Sequence, residues 1–279
     1  MKPAVVILCG GQGTRLREHT EHVPKPMVRI GNRPIVWHIM KAYSHFGFDD
    51  FVLCLGYKGE RIREYFLHYD RQHHDCTVHL GNGHAPELHP RRTGHDHGAE
   101  NWRVTLVDTG EAAMTGARLK RVARFLEGPR FLLTYGDGVC DVDVGRLLGF
   151  HLEHGRIGTV TGVHPPARFG QLLLDPHPDG AHRGVDRVVA FSEKPQVTDT
   201  YINGGFFVFE RAFLDRVEDD DDCVLERAPL ESLARDGELV AYRHDGFWQC
   251  MDTYRDWRQL DAAWRQGDAP WRVWRGSRP

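Results

Sequence analysis

The chain has 279 residues, of which 41% are hydrophobic and 27% charged, with a formal net charge of −3. This balance is that of a folded globular protein and excludes a disordered chain or a strongly basic nucleic-acid binder. Without a global positive field neither nucleic acid nor an anionic membrane is an expected partner, so any phosphate must be held locally.

Ala4-Val5-Val6-Ile7-Leu8 is an unbroken apolar run that predicts a fully buried strand. Cys9-Gly10-Gly11-Gln12-Gly13-Thr14-Arg15-Leu16 follows, and its glycines suit a tight loop whose backbone N–H groups face an anion. Thr14 adds a hydroxyl and Arg15 a guanidinium suited to phosphate oxygens. In Val23-Pro24-Lys25-Pro26-Met27 two prolines hold the backbone around Lys25, a flexible point charge on a rigid mount. Together these elements describe a polyphosphate site. The loop is not a Walker A sequence, and the third glycine of a dinucleotide fingerprint is missing.

A turn at 31–34 precedes a helix predicted over Ile35 to Phe46, with Ile35, Ile39, Ala42 and Phe46 on one face. A strand is predicted over 50–55 and a helix over Glu60 to Tyr69, the βαβ grammar of a parallel sheet. Cys76 to Leu80 reads as a short strand. The segment 81–101 carries His84, His89, His95 and His97 without a regular pattern or a completing Cys or carboxylate cluster, and reads as a solvated loop rather than a metal site. A strand over 102–107 leads to Thr115-Gly116-Ala117-Arg118, which opens a helix predicted to Leu126. Its basic residues fit a solvated face, but a helix start with Thr115, Gly116 and Arg118 can also meet a phosphate or a base.

Phe131 to Tyr135 is a further buried strand and runs into Gly136-Asp137-Gly138. An acid between glycines at the end of a strand suits magnesium, which takes few carboxylates; an Asp-Gly turn is the alternative. After a helix to His154, strands over 158–163, 171–175 and 185–191 look more like hairpins than βαβ units. Glu193 and Lys194 then sit at a strand end, and Asn203-Gly204 heads the aromatic strand Tyr201 to Phe209. Glu210 to Val217 and Leu225 to Asp236 read as helices, and the acid run 218–222 as a solvated loop without EF-hand spacing. Asp252 follows an apolar strand and precedes a helix predicted over Tyr254 to Arg265, so it is a second metal candidate or a helix N-cap. The tail carries Trp271 and Trp274 and either packs on the body or meets another subunit.

No apolar run could span a bilayer, no secretory leader is legible, and the six cysteines lack a CxxC pair. A cytoplasmic protein with buried thiols is expected. The expected fold is α/β: a Rossmann-like three-layer αβα arrangement with a mostly parallel central sheet and a smaller β-rich sugar-binding subregion. One domain is expected over about 1–265, with a nucleotide half to about 155, a sugar half from about 156, and a tail over 266–279.

Gly10-Gly11-x-Gly13-Thr14-Arg15-Leu16 followed by Pro24-Lys25-Pro26-Met27 resembles the signature of the sugar-1-phosphate nucleotidylyltransferases. The likeness continues through Leu55-Gly56-Tyr57-Lys58-Gly59, Met114-Thr115-Gly116, Thr134-Tyr135-Gly136-Asp137-Gly138, Glu193-Lys194-Pro195 and Gly246-Phe247-Trp248-Gln249-x-Met251-Asp252-Thr253. Within that superfamily these strings are most similar to the glucose-1-phosphate cytidylyltransferases. The resemblance implies a magnesium-dependent reaction of CTP with α-D-glucose 1-phosphate, giving CDP-glucose for dideoxysugar synthesis and pyrophosphate, in a homo-oligomer. It implies catalytic roles for Arg15 and Lys25 and metal ligation by Asp137 and Asp252. It places Leu8, Gly10, Gly11, Gly13, Thr14, Thr115, Gly116, Arg118 and Gly136 at the nucleotide, and Glu193, Lys194, Asn203 and Gly204 at the sugar phosphate. Cys9, and Ala112-Ala113 where the family often has a hydroxyl, depart from its pattern. The same chemistry on another nucleotide or sugar, and a silent nucleotide–sugar sensor, are the alternatives.

Overall fold

The computed structural model describes residues 2–13, 16, 20–21, 23–80, 85–89, 100–165, 171–174, 188–192 and 200–274, with backbone alone for 72–73, 171–174 and 188–192. Its centre is a seven-stranded sheet. In chain order the sheet contains β1 (Val5–Leu8), β2 (Asp50–Leu55), β3 (Arg103–Asp108) and β4 (Arg130–Tyr135). A short outlying strand, β5 (Gly138–Cys140), intervenes, and the sheet continues with β6 (Gly158–Val163), β7 (Ile202–Glu210) and β8 (Leu239–His244). The spatial order is β8-β6-β7-β4-β1-β2-β3. Only β7 runs against its neighbours; the other pairings within the sheet are parallel.

The apolar run of β1 explains its central place. Val5, Val6 and Ile7 have no exposed surface, because a strand between two parallel neighbours and covered on both faces has no solvated side. Burial of each such side chain stabilises the fold by about 1.5–3 kcal/mol. Odd residues of β1 join one core cluster and even residues the other, which is the period of two expected of a sheet covered by two layers.

Helix α1 (Ile35–His45) is buried more widely than its apolar stripe suggests, with Trp37, His38 and Met40 covered as well. The tail accounts for this. Trp271 and Trp274 are buried in the same cluster, and Trp271 Nε1 lies 3.5 Å from His38 Nδ1. The tail tryptophans therefore complete the body's own core. Burial lowers the His38 pKa to about 4, so this histidine is neutral inside.

Several boundaries differ from the sequence reading. Helix α2 (Gly59–Leu67) ends two residues earlier than expected. Helix α3 (Thr115–Val122) passes into a 3-10 turn over Ala123–Phe125. Helix α4 (Val144–His154), by contrast, ends at His154 as read, and Asp143 caps its start. The segment Arg211–Arg216 is 3-10 rather than α-helical. Helix α5 (Ala228–Arg235) begins later than expected, with Pro229 in its first turn. Strands Gln171–Leu174 and Val188–Ser192 form the expected antiparallel hairpin, whereas β6 and β8 extend the main sheet. Part of the 81–101 segment is a strand, Glu87–His89, paired with Asp75–Thr77; His84, His95 and His97 lie outside the described residues. No described helix is long and apolar enough to cross a membrane.

Candidate active site

The loop after β1 and the Gly136-Asp137 turn after β4 meet at the carboxyl ends of adjacent parallel strands, where ligands of such sheets gather. They line a cavity of about 330 Å³, with Lys25, Thr115, Arg118 and Tyr135 among the other lining residues. Gly136 must be a glycine there, since a Cβ would stand 2.9 Å from Leu8 O.

The cavity floor is an ionic junction. Lys25 Nζ donates to Asp137 Oδ2 at 2.6 Å and to Asp252 Oδ1 at 2.6 Å. A ribbon sets the two acids side by side. Strand β9 (Trp248–Cys250) pairs with β5 so that Cys250 opposes Gly138, and Met251 N donates to Asp137 O at 2.8 Å. Asp252 is not the N-cap of the following helix, α6 (Tyr254–Gln266). Thr253 takes that place in a capping box with Asp256, and Asp256 Oδ2 also accepts from Asp252 N. That leaves the Asp252 carboxylate directed at Lys25. The lysine is no flexible charge on a mount: it is 8% exposed and pinned at both carboxylates. Burial disfavours its charge, but Asp137 and then Asp252 outweigh burial and hold its pKa above the ordinary value. Two carboxylates converging on one cation are hard oxygen donors of the kind that suit a divalent metal.

The back wall holds a second cation. Arg118 is 4% exposed, and its guanidinium lies against Gly10 and Gly56, where a Cβ would come within 2.0 and 2.3 Å of Nη1. It donates to Leu55 O (3.0 Å), Thr109 Oγ1 (2.9 Å) and Gly110 O (2.8 Å) through Nη1. Through Nη2 it donates to Gly10 O (3.1 Å) and Glu111 O (3.2 Å). Arg118 thus lines the cavity, but its polar atoms staple the glycine loop to the ends of β2 and β3. The sequence reading of this side chain as a nucleotide contact missed that commitment.

The start of α3 is likewise committed to the protein. Gly116 N and Ala117 N both donate to Cys223 O, at 2.9 and 3.2 Å, so these two amides are not turned to a phosphate. Gly116 serves close packing, since a Cβ would lie 2.5 Å from Cys223 Sγ. Thr115 lines the cavity, accepts from Leu225 N at 2.9 Å and donates to Glu226 Oε2 at 2.7 Å. The other Glu226 oxygen accepts from the Tyr135 hydroxyl. Neither Glu226 nor Tyr135 was singled out from the sequence, because each gains its meaning from a partner across the fold.

Leu8, Gly10, Gly11 and Gly13 border the cavity. Asn203 is exposed at the start of β7 and donates to the Tyr135 hydroxyl at 3.3 Å. Gly204 is buried, and its carbonyl accepts from Trp248 Nε1 at 2.7 Å. Thr14, Arg15, Glu193 and Lys194 lie outside the described residues. The acid run 218–222 is partly used: Asp219 and Asp221 each meet Arg121 at 2.9 Å. Among the described residues Cys140, Asp141 and His244 group closely enough for a metal. Burial pushes the Cys140 thiol far up and His244 already pairs with Asp141 at 2.8 Å, so this group is satisfied without one.

Comparison with known proteins adds to this geometry. Residues 4–250 match the model of the nucleotidyl transferase family. A glucose-1-phosphate cytidylyltransferase of Salmonella typhi is 47% identical over 270 residues, covering 96% of this chain and 98% of that protein. A mannose-1-phosphate guanyltransferase of Gibberella zeae is 30% identical over 261 residues, covering 90% of this chain and 61% of that one. The crystal structure of HddC from Yersinia pseudotuberculosis superposes with a TM-score of 0.65 at 22% identity, over 94% of this chain and all of that one, which establishes the shared fold. With the glycine loop, the strand-end acids and a match over nearly its whole length, the chain belongs to the nucleotidyl transferase family, in the group of the glucose-1-phosphate cytidylyltransferases.

Proposed function

We propose that the chain joins CTP to α-D-glucose 1-phosphate, forming CDP-glucose and pyrophosphate. The observation that carries this reading is the Lys25–Asp137–Asp252 junction on the floor of a glycine-lined cavity. A phosphate monoester is already ionised near neutrality, so its oxygen needs no general base to attack the α-phosphorus. The obstacle is bringing two anions together, and the remedy is neutralised charge and alignment. Asp137 and Asp252 would hold magnesium, which supplies charge neutralisation for the phosphates when bound. Lys25 stabilises the α-phosphoryl group, Arg15 the departing pyrophosphate, and Lys194 and Glu193 hold the sugar phosphate with Asn203. Arg118 acts behind this layer, keeping the Gly10–Gly11 backbone at the cavity. The nucleotide half extends to about residue 155 and the sugar half follows it.

A cytoplasmic enzyme fits the six free thiols. A homo-oligomer fits the exposed apolar side chains of Leu67, Val78 and Leu80, the last of them 91% exposed. Light scattering on the purified chain tests the latter, and a monomer at micromolar concentration would remove it.

Pyrophosphate release with glucose 1-phosphate and magnesium, run in parallel with CTP, UTP, dTTP and GTP, tests the reaction. Strong turnover with CTP alone is expected. Preference for another nucleotide would overturn the cytidylyl assignment, and no release with any would overturn the enzyme.

A further inference from the structure

Glu226 touches two separate parts of the cavity lining at once. One oxygen accepts from the hydroxyl of Thr115, in the first turn of α3, at 2.7 Å; the other accepts from the hydroxyl of Tyr135, at the end of β4. Each hydroxyl has a single proton, and each proton is used here. The Thr115 oxygen then accepts from Leu225 N, and the Tyr135 oxygen accepts from Asn203 Nδ2.

This fixes direction along the chain of bonds. Gly205 N donates to Asn203 Oδ1 at 2.8 Å, so the amide cannot turn over without opposing two donors there. A turned amide would also set its oxygen against a phenolic oxygen whose proton faces Glu226. Asn203 is therefore held with its carbonyl inward, and one Nδ2 hydrogen is left for a ligand. Burial, and then Glu226, push the Tyr135 phenol up, which keeps its proton in place.

We propose that Glu226 is a positioning residue that orients Asn203 toward the sugar through Tyr135 and holds the nucleotide wall through Thr115. The inference rests on the cytidylyltransferase reading of the same cavity. It makes the sugar contact depend on a residue remote from it in sequence. A carboxylate is required because it alone accepts from both hydroxyls. With Gln at 226 an N–H faces one of them, and that hydroxyl must turn its proton toward a group that is itself a donor.

Calorimetric titration with CDP and with CDP-glucose separates the two arms. Tyr135→Phe should weaken CDP-glucose about five- to tenfold and leave CDP within about twofold, the scale of one hydrogen bond. Thr115→Val should weaken both ligands by the same factor. Glu226→Gln should lower the preference for CDP-glucose over CDP, and adding Tyr135→Phe to it should lower that preference no further. A Glu226→Gln chain with a lower melting temperature but unchanged preference would make the residue merely structural and overturn the proposal. So would independent, multiplying effects of the two substitutions. Wild-type protein that binds neither ligand would overturn the functional reading, and this inference with it. Wild-type protein that binds both, with a preference indifferent to Glu226→Gln, would overturn this inference alone.

Discussion

Among the described residues Lys25 is buried on the floor of the cavity and Arg118 in its back wall, and the two are held in different ways. Lys25 is bonded to carboxylates, Arg118 largely to backbone carbonyls. A carboxylate can exchange a lysine ammonium for a metal ion by side-chain rotation alone, without moving the backbone. A backbone carbonyl cannot exchange its partner without opening the loop that carries it. The floor cation can thus be released without unfolding the loop, whereas the back-wall cation cannot, although both border the same space. Burial and charge do not by themselves identify a catalytic group; the nature of the partner does.

Substitution at the floor should have the largest effect. Lys25→Ala should lower kcat by about 10²–10³, the scale for losing one stabilising contact to a developing charge. It also leaves the buried Asp252 and the half-buried Asp137 without their lysine, so the melting temperature should fall and then recover with millimolar magnesium. A variant with near-normal kcat would remove Lys25 from the chemistry, and no recovery with metal would break the exchange argument. Asp137→Asn should abolish most activity together with its metal dependence, measured by pyrophosphate release across a magnesium titration.

At the back wall Arg118→Ala should cost about 3 kcal/mol of stability, since it strands buried acceptors of a charged donor. Denaturant unfolding should show that loss with and without magnesium. Rescue by the metal would erase the distinction between the two cations.

His38 offers a third case, a buried base kept neutral. Its pKa is about 4 folded and about 6.5 unfolded, so between those values the unfolded chain binds the extra proton. Its contribution is intact above about pH 6.5 and is lost progressively as pH falls toward 4, by up to about 3 kcal/mol. Unfolding midpoints at a series of acid pH values should show this slope, and His38→Gln should flatten it. An unchanged slope in that variant would assign the acid sensitivity elsewhere.

The smallest effect concerns the support of the floor. Thr253→Ala removes the cap next to Asp252 and should cost about 1 kcal/mol. A rise in the magnesium requirement alongside that loss would show that the cap also aims the acid.

Much of this was legible in the chain. An apolar strand followed by closely spaced glycines can hardly be anything but a strand and a tight turn, and 50–55 and 158–163 are strands with the bounds read from the sequence. Asp137 and Asp252 were readable as strand-end acids because each follows a run of largely apolar residues. That each would meet the same lysine was not readable, since the pairing of Cys250 with Gly138 joins positions far apart in sequence. That Arg118 also braces the backbone was not readable for a related reason. An arginine near a helix start advertises its charge, while the carbonyls that absorb it come from three separate loops. Glu226 gave no local sign at all. Local sequence determined the elements and the kinds of groups at their ends, because backbone sterics and apolar periodicity act over a few residues. Which group faces which, and whether a charge is spent on a ligand or on the fold, was decided by the tertiary structure alone, because a hydrogen bond's partner is chosen by distance in space.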